Sequence, residues 1–160
     1  MLRSIAAFVV GLVFCGCADR PNRKLHYGEA EVVWTSEVDI LAMLKDSAWE
    51  PPTDFLQKAS ARSMDVRKLA QMNVGEVINA VGKALRNAGS TWRLVVVVEQ
   101  RDVSDVGPLR NTPFEALLAN ANLDSREKMS PSEVIWVLRN ELALGVRYKH
   151  GIVYLGQRFN

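Results

Sequence analysis

The chain has 160 residues, of which 48% are hydrophobic and 24% are charged, and its formal net charge is +2. This composition is typical of a globular protein, and the length suffices for one domain with a hydrophobic core. The nearly balanced charge lacks the basic patch or stripe of a nucleic-acid-binding domain, so we expect no nucleic-acid partner.

The N-terminal residues have the anatomy of an export signal. One positive charge, Arg3, precedes an apolar run over residues 5–14 (IAAFVVGLVF), and after Cys17 the chain turns polar with ADRPNRK. A run of this length matches the hydrophobic region of a signal peptide, whereas a membrane span needs about 20 apolar residues. We therefore expect residues 1–16 to be a signal peptide.

This order resembles a bacterial lipoprotein signal with its lipobox, in which a small residue directly precedes the lipidated cysteine. Gly16 is that residue and Cys17 is the cysteine, although Phe14 stands where the family usually has leucine. The resemblance implies cleavage before Cys17, diacylglycerol on its sulfur and, usually, an acyl chain on its amine. Because Ala18 is not the aspartate of the family's inner-membrane retention signal, it also implies an outer-membrane lipoprotein that faces the periplasm. An uncleaved anchor and a plain secretory signal are the alternatives.

The lipid would hold the protein firmly, because several acyl chains bind a bilayer far more strongly than one chain does. Cleavage would also remove Arg3 and Cys15, which lowers the net charge from +2 to +1 and leaves Cys17 without another cysteine. We therefore expect no disulfide, no redox pair and no cysteine-based metal site in the mature chain.

Residues 17–28 are expected to form a tether, and residues 29–60 an N-terminal segment of unclassified structure. Alternation in residues 29–35 (EAEVVWT) predicts a strand. Ser36 is suited to cap a short helix, and residues 53–60 predict one or two further helical turns.

Two later segments resemble each other at an offset of 57 residues, the difference between Met72 and Met129. MNVGEVINAVGKAL (72–85) lies over MSPSEVIWVLRNEL (129–142), and both place apolar residues at the spacing of one helical face. The matching positions are Glu76 and Glu133, Val77 and Val134, Ile78 and Ile135, Val81 and Leu138, and Leu85 and Leu142. The sequence therefore predicts two amphipathic helices.

Strands are predicted on both sides of each helix. Residues 64–72 and 122–129 are the candidates before the helices, residues 92–98 (WRLVVVV) follow the first helix, and VRYKHGIVYLG (146–156) is typical of a hairpin after the second. The four valines at 95–98 indicate an interior strand that is covered on both faces.

The predicted order is β-α-β followed by β-α-β-β, an α/β architecture of the two-layer α+β type. Two helices would pack on one face of a small mixed sheet, because each must bury its apolar stripe. We assign this domain to residues 61–160, with an insertion at 101–121 that contains a short helix over residues 113–119.

The pattern resembles the STN domain, the short N-terminal module of secretins and TonB-dependent receptors. The resemblance rests on VGEVINAVGKALRNAG (74–89), on WRLVVVV (92–98) and on MSPSEVIWVLRNELALGVRYKHGIVYL (129–155), and it covers residues 64–155. The insertion at 101–121 is longer than the family's link, and no secretin ring, barrel or TonB box follows. The resemblance implies a periplasmic protein-binding module on a lipid tether, with no catalytic residue and no cofactor.

Each predicted helix begins with a possible capping box. Asn73 with Glu76, and Ser130 with Glu133, have the spacing at which two side chains satisfy free backbone N–H groups. A matched pair of glutamates also raises the alternative of acid–base catalysis, but capping accounts for both carboxylates. We assign all four residues to structural caps.

Patterns for catalysis and metal binding are weak. The two histidines, His26 and His150, fall in the tether and at the predicted hairpin turn, where we expect both to be solvated. No metal site, cofactor or catalytic residue is therefore predicted. A small periplasmic hydrolase is an alternative, which requires Asp102, Asp105 or Glu115 to meet a histidine in a pocket.

Trp136 is the best candidate for a partner contact. It faces away from the apolar stripe of the second helix and replaces Asn79 of the first. Tryptophan is enriched at binding hot spots, so we expect Trp136 to contact a partner protein. Together with the two resemblances, this predicts a lipid-anchored module that contacts an envelope protein, with a secretin or another outer-membrane pore as the candidate. The alternatives are burial of Trp136 under the N-terminal segment, and a structural lipoprotein that tethers the membrane to peptidoglycan.

Overall fold

The computed structural model describes residues 25–27, 30–35, 37–89, 91–99 and 111–156, with side chains for 41–89, 91–97 and 111–156. The predicted signal peptide, Cys17 and much of the predicted insertion lie outside these residues. The described strands are β1 (Leu25–Tyr27), β2 (Ala30–Thr35), β3 (Met64–Asp65), β4 (Arg93–Glu99), β5 (Lys128–Met129), β6 (Gly145–Lys149) and β7 (Ile152–Gly156). The described helices are α1 (Glu37–Leu44), α2 (Thr53–Ser60), α3 (Val66–Ala70), α4 (Val74–Asn87), α5 (Phe114–Asn120) and α6 (Pro131–Glu141).

Five strands form a mixed sheet in the spatial order β1-β2-β4-β7-β6. Strands β2, β4 and β7 are parallel, whereas β1 and β6 run antiparallel at the two edges of the described sheet. The central strand is β4, in which Val97 lies opposite Val33 and Val95 lies opposite Tyr154. A separate two-stranded ladder joins β3 to β5. The predicted α+β two-layer class is confirmed.

The main hydrophobic core lies between one face of the sheet and helices α2, α4 and α6. Leu94 and Val96 of β4 belong to it, together with alternate residues of β6 and β7. The buried stripes of the helices are Phe55 and Ala59 in α2, Val77, Ile78, Val81 and Leu85 in α4, and Val134, Ile135, Val137 and Leu138 in α6. The two predicted amphipathic helices therefore bury the expected faces, and α2 joins them as a third.

The opposite face of the sheet carries a smaller cluster, in which β4 and β7 pack against α1. Its members include Val95, Val97 and Tyr154, with Met43 and Leu44 from α1. Successive residues of β4 are therefore buried alternately on the two faces. This arrangement confirms the interior strand predicted from the valine run.

The N-terminal segment belongs to the same core. Phe55, Trp92 and Tyr148 form an aromatic cluster with ring centroids 5.1–6.3 Å apart and steep interplanar angles, a favourable geometry for aromatic pairs. The Trp92 Nε1–H donates to Asp54 Oδ2 at 2.9 Å. Burial raises the pKa of Tyr148 to about 12. Because β2 also lies beside β4, residues 30–35 and 37–60 belong to the same fold as the domain that was predicted to begin at residue 61.

Between α1 and α2 the chain passes around the β6 edge of the sheet. The N–H of Ala48 donates to the carbonyl oxygen of Tyr148 at 2.8 Å, and the N–H of Tyr148 donates to the carbonyl oxygen of Ala48 at 2.9 Å. Lys149 Nζ donates to the carbonyl oxygens of Met43 and Lys45 at 3.2 and 2.6 Å, near the end of α1 where helix carbonyls lack partners. The segment thus lines one face of the sheet, pairs with the edge strand β6 at one position and then joins the main core.

The two strands predicted before the amphipathic helices are much shorter than expected. Of residues 64–72, only the first two are extended, and α3 follows directly. Asp65 ends the strand because its carboxylate accepts the N–H groups of Arg67 and Lys68 and so caps α3. Of residues 122–129, only the last two are extended. The expected long strands are therefore wrong, and the short ones pair with each other outside the main sheet.

The tether predicted over residues 17–28 is also too long. Leu25–Tyr27 form β1, in which His26 lies opposite Glu31 of β2. Pairing with β2 gives these residues the backbone hydrogen-bond partners that a free tether lacks.

The hairpin β6–β7 forms where it was predicted. His150 and Gly151 make its two-residue turn, with φ angles of 48° and 76°. Positive φ at both positions is typical of a type I′ turn, which matches the twist of the strands it joins. The predicted strands at 29–35 and 92–98 and the helix at 113–119 are confirmed as β2, β4 and α5, each within a residue at either end.

We expect Phe55→Ala to destabilise the domain by about 3–5 kcal/mol, because it removes a fully buried ring and leaves a cavity in the aromatic cluster. Leu56→Ala, one residue further along the same helix, is the matched control and should change stability by only about 0.5 kcal/mol, since Leu56 is exposed. Urea unfolding followed by circular dichroism gives both values. Equal losses in the two variants would contradict this packing of α2.

Candidate functional site

Helix α6 begins at a complete capping box. The N–H of Ser130 donates to Glu133 Oε2 at 2.7 Å, and the N–H of Glu133 donates to Ser130 Oγ at 3.3 Å. Arg126 forms an ion pair with the same carboxylate. The hydrogen bond from the backbone of Ser130 lowers the pKa of Glu133 and is the largest cause of the shift. Burial acts in the opposite direction with a smaller effect, and Arg126 lowers the pKa further. The start and direction of α6 are therefore fixed by groups that precede it.

Helix α4 begins in the same way. The N–H of Asn73 donates to Glu76 Oε2, and the N–H of Glu76 donates to Asn73 Oδ1, both at 2.9 Å. Caps of this kind typically contribute about 1 kcal/mol. The four residues assigned to caps from the sequence thus form two capping boxes, one at the start of each helix.

Trp136 lies on the outer side of α6. Its neighbours Ile135 and Val137 are buried in the main core, whereas Trp136 itself is 52% exposed. Helix α2 of the N-terminal segment packs against α6 but leaves half of this side chain accessible. Burial of Trp136 under the N-terminal segment, the alternative considered from the sequence, is therefore not what the structure shows.

Helix α2, which packs against α6, carries a second exposed apolar side chain. Leu56 is 39% exposed, although the stripe of α2 that faces the core is buried. Arg139 and Asn140, about one turn after Trp136, are also exposed. We call Leu56, Trp136, Arg139 and Asn140 the α2–α6 surface. It combines two apolar side chains with one positive charge and one amide.

The other large exposed apolar side chains of the described residues lie on the α1 side of the sheet. Leu41 of α1 is 68% exposed, and Trp49 is 43% exposed. Trp49 covers Arg147, whose guanidinium carbon lies 2.8 Å from the centroid of the indole ring. Burial lowers the pKa of Arg147. Trp49 thus has a partner within the fold, whereas no described aromatic or cationic side chain stacks on Trp136.

Of the side chains that the alternative hydrolase would need, the two that the structure describes lie in separate elements. His150 is exposed at the β6–β7 turn, and Glu115 is exposed in the first turn of α5. Asp102, Asp105 and the side chain of His26 lie outside the described residues. Within residues 41–89, 91–97 and 111–156, no three potential metal ligands are grouped closely enough to hold an ion.

None of the helices in the described ranges is both long and apolar enough to cross a lipid bilayer. The longest, α4, has 14 residues, and it carries charged residues on its exposed side.

No protein-family model matches the chain, and no curated protein or solved structure is significantly similar to it. Because a fold alone does not define a function, the exposed side chains of the α2–α6 surface are the evidence for the function of this protein.

The sequence patterns predicted the exposure of Trp136 but not that of the three other large exposed apolar residues in the described ranges, Leu41, Trp49 and Leu56. In TDFLQKAS (53–60), Phe55 and Ala59 are four residues apart, a spacing that already places Leu56 on another side of the helix. The contact between Trp49 and Arg147 joins residues far apart in the chain, and no local pattern marks it.

We expect Glu133→Gln to reduce stability at pH 7 and to have a smaller effect as the pH falls towards 3. The pKa of Glu133 is lower in the folded protein than in the unfolded chain. The charged carboxylate therefore makes its full contribution to the free energy of unfolding above about pH 5, where it is ionised in both states. This contribution is lost as the pH falls through the folded-state pKa. Glutamine can keep the capping geometry but not the charge. Urea unfolding of both proteins at several pH values measures the difference.

Asn140→Ala is the control for this experiment, because it changes an exposed residue of the same helix that does not titrate. Its effect on stability should be the same at pH 3 and pH 7. A difference between wild type and Glu133→Gln that also stays constant over this range would show that the charge of Glu133 does not stabilise α6.

Proposed function

We propose that the protein is a lipid-anchored binding module of the bacterial cell envelope, which holds an envelope protein at its α2–α6 surface. The observation that carries the proposal is the exposure of Trp136 on a helix whose neighbouring apolar residues are all buried. About half of the Trp136 side chain is therefore available to a partner.

The energy available at Trp136 is substantial for one residue. A tryptophan buries about 200 Å² when fully covered, so roughly 100 Å² remains to be covered here. At about 25 cal/mol per Å², a partner that covered it would gain about 2.5 kcal/mol. This magnitude is that of a binding hot spot, in which tryptophan is among the most frequent residues.

A binding role also agrees with the structural roles of four ionisable side chains in the described residues. Glu76 and Glu133 cap helices, Asp54 accepts from Trp92, and Lys149 donates to the end of α1. Each of these side chains has a structural use. We therefore infer a non-enzymatic function, in which specificity comes from the shape and chemistry of the α2–α6 surface.

The proposed location comes from the sequence. The residues before Cys17 resemble a lipoprotein signal, and Ala18 favours the outer membrane in that family. The resemblance of residues 64–155 to the STN domain suggests a secretin or another outer-membrane pore as the partner. Together these features describe a small periplasmic domain that is held at the membrane by lipid and contacts a neighbouring protein.

The lipid anchor can be tested by mass spectrometry of the protein purified from cell membranes. We expect a mature chain that begins at Cys17 and carries acyl chains, because two or more chains are needed for stable anchoring. Cys17→Ser should abolish acylation, whereas Cys15→Ser, the matched control, should leave it unchanged because Cys15 would be removed with the signal. An unmodified Cys17, or a leader still attached to the wild-type protein, would disprove the anchor.

The partner contact can be tested by photo-crosslinking in intact cells, with the crosslinking residue placed at Asn140 beside Trp136. We expect a discrete crosslinked species with the wild-type surface. Trp136→Ala should reduce its yield by roughly 30-fold or more, which corresponds to a hot spot of about 2 kcal/mol. Immunoblotting against equal amounts of protein measures the yield.

Trp49→Ala is the control, because it removes a tryptophan of similar exposure from the other side of the sheet. It should leave the crosslinked species in place. An unchanged yield in Trp136→Ala, or an equal loss in Trp49→Ala, would contradict a specific role for the α2–α6 surface. Sedimentation with purified cell-wall sacculi and no crosslinked protein would favour the peptidoglycan-tethering alternative.

A further inference from the structure

The chain crosses the β6 edge of the sheet between α1 and α2, and we call residues 46–50 the strap. The strap pairs with β6 at one isolated position, where Ala48 and Tyr148 exchange two backbone hydrogen bonds of 2.8 and 2.9 Å. On its other side, β6 pairs with β7 over five positions. Pro51 and Pro52 follow the strap, and they have no N–H group with which to lengthen the ladder. Backbone pairing therefore holds the strap to the sheet far more weakly than it holds β7.

The side chains of the strap lie outside both hydrophobic clusters. Ser47 is half-buried and bonds to the carbonyl oxygen of Leu44 at the end of α1, and the other four residues are exposed. The helices on either side are packed, because α1 places Met43 and Leu44 against the smaller cluster and α2 buries Phe55 completely. A segment with little buried apolar surface opens at a lower free energy than the whole domain. Opening of the strap therefore does not require the two helices to unfold.

A side-chain contact also joins the strap to the sheet. Trp49, which is 43% exposed, lies over Arg147, whose guanidinium carbon is 2.8 Å from the centroid of the indole ring. Because Arg147 directly precedes Tyr148 in β6, this stack lies next to the backbone pair at Ala48. A cation–π contact at a partly covered site changes an equilibrium by about tenfold. The closed strap is therefore favoured by about this factor through Trp49.

We propose that the strap opens independently of the rest of the domain, with the stack of Trp49 on Arg147 as the latch that holds it closed. Strand β6 then alternates between a covered edge and a free edge. The two states differ in the contacts of Ala48 and Trp49 with β6, whereas both hydrophobic clusters stay packed. The inference concerns other residues than the α2–α6 surface and does not depend on the function proposed for that surface.

Opening of the strap exposes groups on β6 that can bind a further strand. It uncovers the N–H and the carbonyl oxygen of Tyr148, which Ala48 occupies in the closed state. Val146 directs its backbone groups to the same side of β6, because alternate residues of an antiparallel strand do so. Extended segments of other proteins bind to sheet edges through such groups. The strap therefore controls whether β6 can pair with an extended segment at Tyr148.

Amide hydrogen exchange of the purified protein, measured by NMR at several urea concentrations below the unfolding transition, tests whether the strap opens alone. The Tyr148 amide reports on the strap because it donates to Ala48, and the Val96 amide of β4 reports on the core. We expect the Tyr148 amide to exchange at least about tenfold faster than the Val96 amide. Its rate should not depend on urea, since opening the strap exposes little surface, whereas the Val96 rate should rise. Equal rates with equal urea dependence would overturn the proposal, because the strap would then open only when the domain unfolds.

The latch is tested by Trp49→Ala. We expect this change to raise the exchange rate of the Tyr148 amide by about tenfold and to leave the Val96 rate unchanged. Leu41→Ala is the matched control, because it shortens an exposed apolar side chain of α1 outside the strap, and it should leave both rates unchanged. An unchanged Tyr148 rate in Trp49→Ala, or an equal increase in Leu41→Ala, would show that Trp49 does not hold the strap closed.

Ala48→Pro tests the open state by a different route. Proline removes the N–H that donates to Tyr148 and so favours the open strap. We expect the Tyr148 amide to exchange at least about tenfold faster than in the wild type, while the Val96 amide stays protected and the circular dichroism spectrum is unchanged. Loss of protection at Val96 as well would contradict opening of the strap as a separate unit.

Discussion

The central strand β4 must be covered on both faces, and the rest of the domain is arranged to meet this requirement. Leu94 and Val96 face the helices, whereas Val95 and Val97 face α1. Each such side chain contributes about 1.5–3 kcal/mol when fully buried. The two capped helices can cover only one face. The N-terminal segment helps to cover both faces of the sheet. Its helix α1 packs on the face of the smaller cluster, and its helix α2 packs in the main core.

The same packing keeps Trp136 at the surface. Successive residues of a helix are about 100° apart, so Trp136 lies about 160° around α6 from Leu138, which is fully buried. Turning Trp136 inward would expose Leu138 and its buried neighbours on the core stripe. The capping box at Ser130 and Glu133 fixes where the helix begins and reinforces this orientation. Exposure of the indole thus follows from the stability of the core and does not require a flexible helix.

Local patterns predicted much of this fold. The amphipathic stripes, the capping boxes, the valine-rich strand and the turn at His150 and Gly151 all depend on residues close together in the chain. The role of the N-terminal segment was not predictable in this way, because Phe55 meets Trp92 and Tyr148 only in the folded state. The long strand expected over residues 64–72 was wrong because the Asp65 side chain caps a helix there. At the candidate site, periodicity placed Trp136 on the outer side, but whether α2 would cover it depended on tertiary packing.

The backbone pairing of Ala48 with Tyr148 has a further consequence for molecules crowded in one plane. A sheet with two open edges can add copies of itself without limit, since one molecule's last strand can extend the next molecule's first. Here the protein's own backbone occupies one position on the β6 side, so a second copy finds no free amide and carbonyl at Tyr148. A second copy that paired along β6 would therefore first have to displace Ala48 from Tyr148.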